Sequence, residues 1–232
     1  MYGKSAQDLL KLDKKIEEVK KVMKSDGLSL DTLNDYLYAL HAKERNRVIK
    51  ERIEAENEKR AEQKKKLVPL TDAGSGMTDA DADAILNNIK PSQKKGLDKI
   101  EKIIRDIQED TRGTMVEFGL EKQETIDAWN AMFDNYVPLA GLAQDEDSEL
   151  TTYYPTGGAG LSVFGPSTKR AKGRKSAAEN VLAQVISQNA ATHIKARTNE
   201  AVASLYELAK ENPNPDVWQV LDEANSLDPH VV

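Results

Sequence analysis

Asp35-Tyr36-Leu37-Tyr38-Ala39-Leu40-His41-Ala42-Lys43-Glu44-Arg45-Asn46 is the stretch whose reading decides the fold. Aromatic, imidazole, carboxylate, guanidinium and amide groups follow one another here without a glycine or proline, inside the longest helical pattern of the chain. Leu33, Leu37, Leu40, Ile49 and Ile53 give that pattern its apolar positions, starting near Ser29 or Asp31. Beyond Ile53 the residues to Lys66 are almost all polar. Glu56 and Arg60 sit at ion-pair spacing while Glu54 and Glu58 repel, so this part reads as an exposed helical tail.

Upstream, Leu9, Leu10, Leu12, Ile16, Val19, Val22 and Met23 recur every three or four residues, an amphipathic helix that Ser25-Asp26-Gly27 should end. So few residues separate the two helices that they are expected to pack as an antiparallel hairpin over 1–66.

Downstream, 67–142 reads as a region of short helices. Thr71-Asp72-Ala73-Gly74-Ser75-Gly76 is a joint, and Thr78 with Asp81 forms a capping box for a helix that Pro91 stops. Ser92 is the expected cap of the next helix, with Leu97, Ile100, Ile103, Ile104 and Ile107 in one stripe. Gly113 marks either a break or a close contact. A short helix over 121–134 turns Ile126, Trp129 and Met132 inward. Residues 143–175 are too rich in Asp, Ser, Thr, Gly and Pro for an ordinary connection and read as a loop or strap, with Tyr153, Tyr154, Val163 and Phe164 as anchors. Ser176 and Glu179 then open a long helix carrying Val181, Leu182, Val185, Ile186, Ala190, Ile194, Ala201, Leu205 and Leu208. Asn212-Pro213-Asn214-Pro215 ends it, and 176–232 closes on a short segment around Val217, Trp218, Val220 and Leu221. The sum is an all-α, irregular multi-helix bundle, either four segments or one domain.

Composition narrows the chemistry. With no cysteine, disulfides, thiolate catalysis and Cys-ligated zinc are excluded. Met1-Tyr2-Gly3-Lys4-Ser5 lacks the apolar run of a signal peptide, and no stretch is long and apolar enough for an integral membrane segment. The net charge of -6 is unevenly spread: 17 basic against 13 acidic residues over 1–66, 8 against 18 over 71–150, and 8 against 8 over 151–232. The acidic middle repels a phosphate backbone, which leaves only weak, local DNA contact.

Several places invite a functional reading. His41 and Glu44, with Arg45 and Asn46 beside them, read as a structural polar network that orients helices; a hydrolase or transferase site around His41 and Glu44 is the competing reading. No nucleophile or ligand set accompanies them, and the spacing is not that of a zinc protease helix. Gly74-Ser75-Gly76 reads as a capped turn, since it lacks the lysine of a phosphate loop, and Thr156-Gly157-Gly158-Ala159-Gly160 lacks the strand and helix of a nucleotide fingerprint. Lys169, Arg170, Lys172, Arg174 and Lys175 form the strongest basic patch, suited to a phosphate or an acidic partner and the basis of a DNA-binding accessory reading. Asp81, Asp83 and Asp145-Glu146-Asp147 lack the pattern of a calcium loop. No metal and no cofactor is implied.

Tyr38-Ala39-Leu40-His41-Ala42-Lys43-Glu44-Arg45-Asn46, Gly74-Ser75-Gly76-Met77-Thr78 and Tyr136-Val137-Pro138-Leu139 occur in an order that resembles a helical inter-domain region of the large polyvalent proteins of tailed phages, prophages and conjugative elements. Gly173-Arg174-Lys175-Ser176 and Asn212-Pro213-Asn214-Pro215-Asp216-Val217-Trp218 extend the resemblance over about residues 30–220. It implies a noncatalytic structural or assembly module between enzymatic domains, virion-associated and delivered with DNA to the recipient-cell cytoplasm; outside that setting, a cytoplasmic protein is expected. The implied partners are other phage or mobile-element domains, virion proteins or a second copy in a homo-oligomer. No catalytic residue carries over, and the resemblance fits a complete small protein or a portion of a giant one equally.

Overall fold

The computed structural model describes residues 2–139, 180–214 and 216. Among them every regular element is a helix: α1 (Tyr2–Asp26), α2 (Leu30–Glu62), α3 (Asp79–Asn87), α4 (Pro91–Glu117), α5 (Gln123–Met132) and α6 (Val181–Glu211). The expected strap over 143–175, its anchors, the Ser176/Glu179 start and the segment around Val217, Trp218, Val220 and Leu221 lie outside the described residues.

Two glycines end helices for the same steric reason. Gly27 and Gly119 adopt φ of +62 and +64, which a residue with a Cβ enters only at a cost. Each lets the following leucine amide reach back, Leu28 to the Met23 carbonyl at 2.9 Å and Leu120 to the Met115 carbonyl at 2.8 Å. Ser29 caps α2 by accepting from the Thr32 amide at 3.0 Å, and Thr78 caps α3 by accepting from the Asp81 amide at 3.1 Å.

Pro91 does not stop α3, whose C-cap is Asn88; it is the first residue of α4, where its missing N–H costs nothing. Lys90, not Ser92, takes the N-cap position. Gly113 neither breaks α4 nor meets a neighbour, since a Cβ there would find nothing within 4 Å. The close approach falls at Gly96 instead, where a Cβ would stand 2.3 Å from Asp26 Oδ2.

The connection between α1 and α2 is as short as expected, but the two helices do not lie along each other. α1 packs against α4 and α6, and α2 against α3, with lesser contacts to α6 and α4. α1 has one buried stripe, led by Leu12 and Val19, and two helices already occupy it. Lys15 reaching the Asp106 carbonyl and Arg197 reaching Asp8 set α1 antiparallel to both neighbours. Asn189 on Thr111 and Asn199 on the Phe118 carbonyl set α4 and α6 parallel.

α2 is buried over most of its circumference in its second and third turns, where Tyr36, Leu37, Tyr38 and Ala39 are consecutive core residues and Asp35 stays exposed. No single amphipathic stripe describes such a helix. The core joins these residues to Leu97, Ile100, Ile104 and Ile107 of α4 and Val181 and Val185 of α6. A smaller cluster gathers Met115, Leu120, Ile126 and Ala196. Met132, expected inward, is exposed; so are Ile194, Leu205 and Leu208 of α6, which contribute to neither cluster.

Candidate functional site

α2 places His41, Glu44, Arg45 and Asn46 within two turns, and the neighbouring elements give each a different environment. Asn46, 4% exposed, spends every polar group on the joint leading to α3. Its Oδ1 accepts from the Ser75 amide at 2.7 Å, while Nδ2 donates to the Met77 carbonyl at 2.9 Å and to Asp79 Oδ1 at 2.8 Å. The Tyr38 hydroxyl donates to the Ser75 carbonyl at 2.9 Å. Gly74 lets this turn close on α2, since a Cβ would stand 2.8 Å from Ile49 Cγ2. The amides of Ser75, Gly76 and Met77 are therefore engaged within the chain: Ser75 by Asn46, Gly76 by the Ala73 carbonyl, and Met77 by Ser75 Oγ. An anion would have to displace these bonds.

Glu44 does for the segment after α5 what Asn46 does for the joint. Its two oxygens accept from the Asn135 side chain at 2.8 Å and the Asn135 amide at 3.1 Å. Burial pushes the Glu44 pKa up, but the His41 ring and the Asn135 donors outweigh it and leave the value below the ordinary one.

His41 is fully buried, and neither ring nitrogen has a hydrogen-bond partner. Glu44 Oε2 stands 3.8 Å from Nδ1, beyond hydrogen-bond reach. Phe133 and Tyr136 pack edge-on against the imidazole, with ring centroids at 5.1 and 5.4 Å. Burial holds its pKa below 6.5, against the opposing pull of Glu44. This is a neutral imidazole used as an aromatic packing piece. Arg45 is 5% exposed with an unpartnered Nε. Asn46 and Glu44 thus bond outward from α2 to different neighbours, and His41 packs against rings instead of bonding to Glu44.

A second polar cluster lies where α1, α4 and α6 meet, and the sequence reading passed over it. Arg197 donates from Nε and Nη2 to Asp8 Oδ2 at 3.0 and 2.9 Å. His193 Nε2 is 2.7 Å from Asp110 Oδ2, and Nδ1 is 3.8 Å from Asp8 Oδ2. Asn189 Nδ2 donates to Asp110 Oδ2 and Thr111 Oγ1, both at 2.9 Å. The His193 bond, joined by the Asn189 donor, brings the Asp110 pKa down to about 2 against the effect of burial. The signal was Asn189, His193 and Arg197 at four-residue spacing, a polar stripe on a helix read only for its aliphatic residues. Its partners lie on two other helices far away in the chain, which no local pattern announces.

Two cavities border α4, and neither has His41, Glu44, Asn46 or His193 in its wall: one of about 20 Å³ against the segment before Val137, the other of about 540 Å³ between α4 and α5. Among the described residues no group of three His, Asp or Glu side chains is placed to hold a metal ion, and no helix is long and apolar enough to cross a membrane. The basic patch Lys169, Arg170, Lys172, Arg174 and Lys175, the Thr156–Gly160 glycine run and Asp145-Glu146-Asp147 lie outside the described residues. Asp81 accepts from Thr78 and Asp83 from Lys43, which accounts for both as capping and surface charge. No family model matches the chain, and the searches of curated proteins and of solved structures returned no match.

Proposed function

We propose that the chain is a noncatalytic structural or assembly module of a phage or mobile-element polyvalent protein, packaged in the virion and delivered with DNA. The observation that carries the noncatalytic part is the occupation of the polar word on α2: Asn46 and Glu44 have their polar atoms bonded to loops that α2 must hold, and His41 is sealed among rings. A general base needs reach to a substrate proton. A sealed imidazole has none. The phage setting rests on the sequence resemblance alone. The partners of such a module are neighbouring domains of the same polyprotein and virion proteins, and Leu205, Tyr206 and Leu208 of α6 supply exposed apolar surface for them.

Two measurements test the reading. Mass spectrometry of purified particles should find peptides of this chain, cross-linked to flanking modules or virion proteins; their absence from particles removes the setting. A hydrolase and transferase screen should find no turnover, and any turnover abolished by His41→Phe or Glu44→Gln in a folded variant overturns the noncatalytic assignment.

A further inference from the structure

Arg112 is half-buried on α4, and among the described residues no carboxylate comes within 4 Å of it. Burial depresses its pKa, with Glu109 and Tyr136 opposing. One turn earlier Gln108 is 2% exposed, and its Nε2 donates to nothing. Leaving a buried donor unmade costs about 1–3 kcal/mol, and native chains tolerate few such groups. Both side chains border the cavity of about 20 Å³, together with Leu37, Ile104 and Tyr136. The remaining charges nearby are accounted for. Glu101 is taken by Arg105 at 2.6 Å, Glu109 and Asp134 are exposed to water, and α2 contributes only Leu37 and Leu40 to this wall.

We propose that Gln108 and Arg112 form a receptor for a single carboxylate, the guanidinium fork taking its oxygens while Gln108 Nε2 donates to one of them. A planar guanidinium matches a carboxylate in two parallel bonds, and such charge-assisted bonds are the strong ones. The surrounding charge sets the selectivity. Glu101 and Asp134 share the wall and Glu109 acts on Arg112, so a singly charged carboxylate is accepted more readily than doubly charged sulfate. The carboxylate comes from a short organic acid or from an acidic side chain of a partner. The inference is independent of the assembly reading.

The test is calorimetric titration of the full chain with sodium acetate, with sodium sulfate at equal ionic strength as the control, and with N-acetylglutamate α-amide as the side-chain mimic. Saturable binding of acetate but not sulfate is expected, weakened at least about tenfold by Arg112→Gln and less by Gln108→Leu. Arg112→Lys, which keeps the charge but loses the fork, should fall between. Far-UV circular dichroism qualifies each variant, and if Arg112→Gln fails to fold, Gln108→Leu carries the test. Equal binding of acetate and the glutamate mimic assigns both sources, and acetate alone assigns the short acid. Equal responses to acetate and sulfate, no saturation with either carboxylate, or identical titrations of wild type and the folded variants overturn the proposal.

Discussion

Replacing Asn46 by alanine removes the side chain that makes three of the hydrogen bonds tying the joint before α3 to the central helix. Three hydrogen bonds disappear, to the Ser75 amide, the Met77 carbonyl and Asp79 Oδ1, each worth about 0.5–1.5 kcal/mol net. The Ser75 amide suffers most, because Ser75 is fully buried and its donor is then left unmade. The expected loss is about 3–4 kcal/mol, at the upper end for a single substitution. Urea unfolding followed by far-UV circular dichroism reads it as a lowered midpoint at constant slope. Limited proteolysis should cut first between Leu67 and Met77, the segment released from α2. Asn46→Asp sharpens the test. It keeps an acceptor for Ser75 but sets a carboxylate against the Met77 carbonyl and Asp79, so its folded pKa rises. The penalty is then full at pH 7 and shrinks as the pH falls toward about 4, the unfolded value. A loss below about 1 kcal/mol in Asn46→Ala, or an Asn46→Asp variant indifferent to pH, would refute the fastening role.

His41→Phe, which removes two unpartnered buried nitrogens from an aromatic setting, should change stability by less than about 1.5 kcal/mol at pH 8. Because burial lowers the His41 pKa, wild-type stability is full above 6.5 and falls with pH below it; the phenylalanine variant should lack that share of the decline in urea midpoints measured from pH 8 to 5. Asp110, lowered to about 2, stabilises the fold above 3.8 and loses that contribution as the pH falls toward 2. Its carboxylate is 43% exposed, so screening leaves on the order of 1 kcal/mol, and Asp110→Asn should flatten acid unfolding in this window. Two glycines of α4 should respond with opposite sign in thermal melts: Gly113→Ala gains about 0.5–1 kcal/mol in open space, while Gly96→Ala loses about 1 kcal/mol by pushing on Asp26. The assembly reading expects no mobility shift of duplex DNA at low salt; a salt-sensitive shift lost on neutralising Lys169, Arg170, Lys172, Arg174 and Lys175 would favour the DNA-binding alternative.

The sequence by itself determined what depends on residues within a turn or two of each other. Helical periodicity, the Ser29 and Thr78 caps and the glycine ending α1 were legible because a capping oxygen or a left-handed glycine acts on its own neighbours. Burial of the polar word on α2 calls for partners, and the fold supplies them to Asn46 and Glu44 but not to the His41 ring. Only the tertiary structure decided which helix each apolar stripe faces. The short α1–α2 connection fitted a hairpin, but the buried stripe of α1 gains more from α4 and α6 together than from one antiparallel neighbour. Nor could a one-dimensional pattern join Asp8, Asp110 and His193 or separate His41 from its neighbours' hydrogen bonds. A carboxylate or an imidazole carries no mark of its partner until the fold removes water from around it.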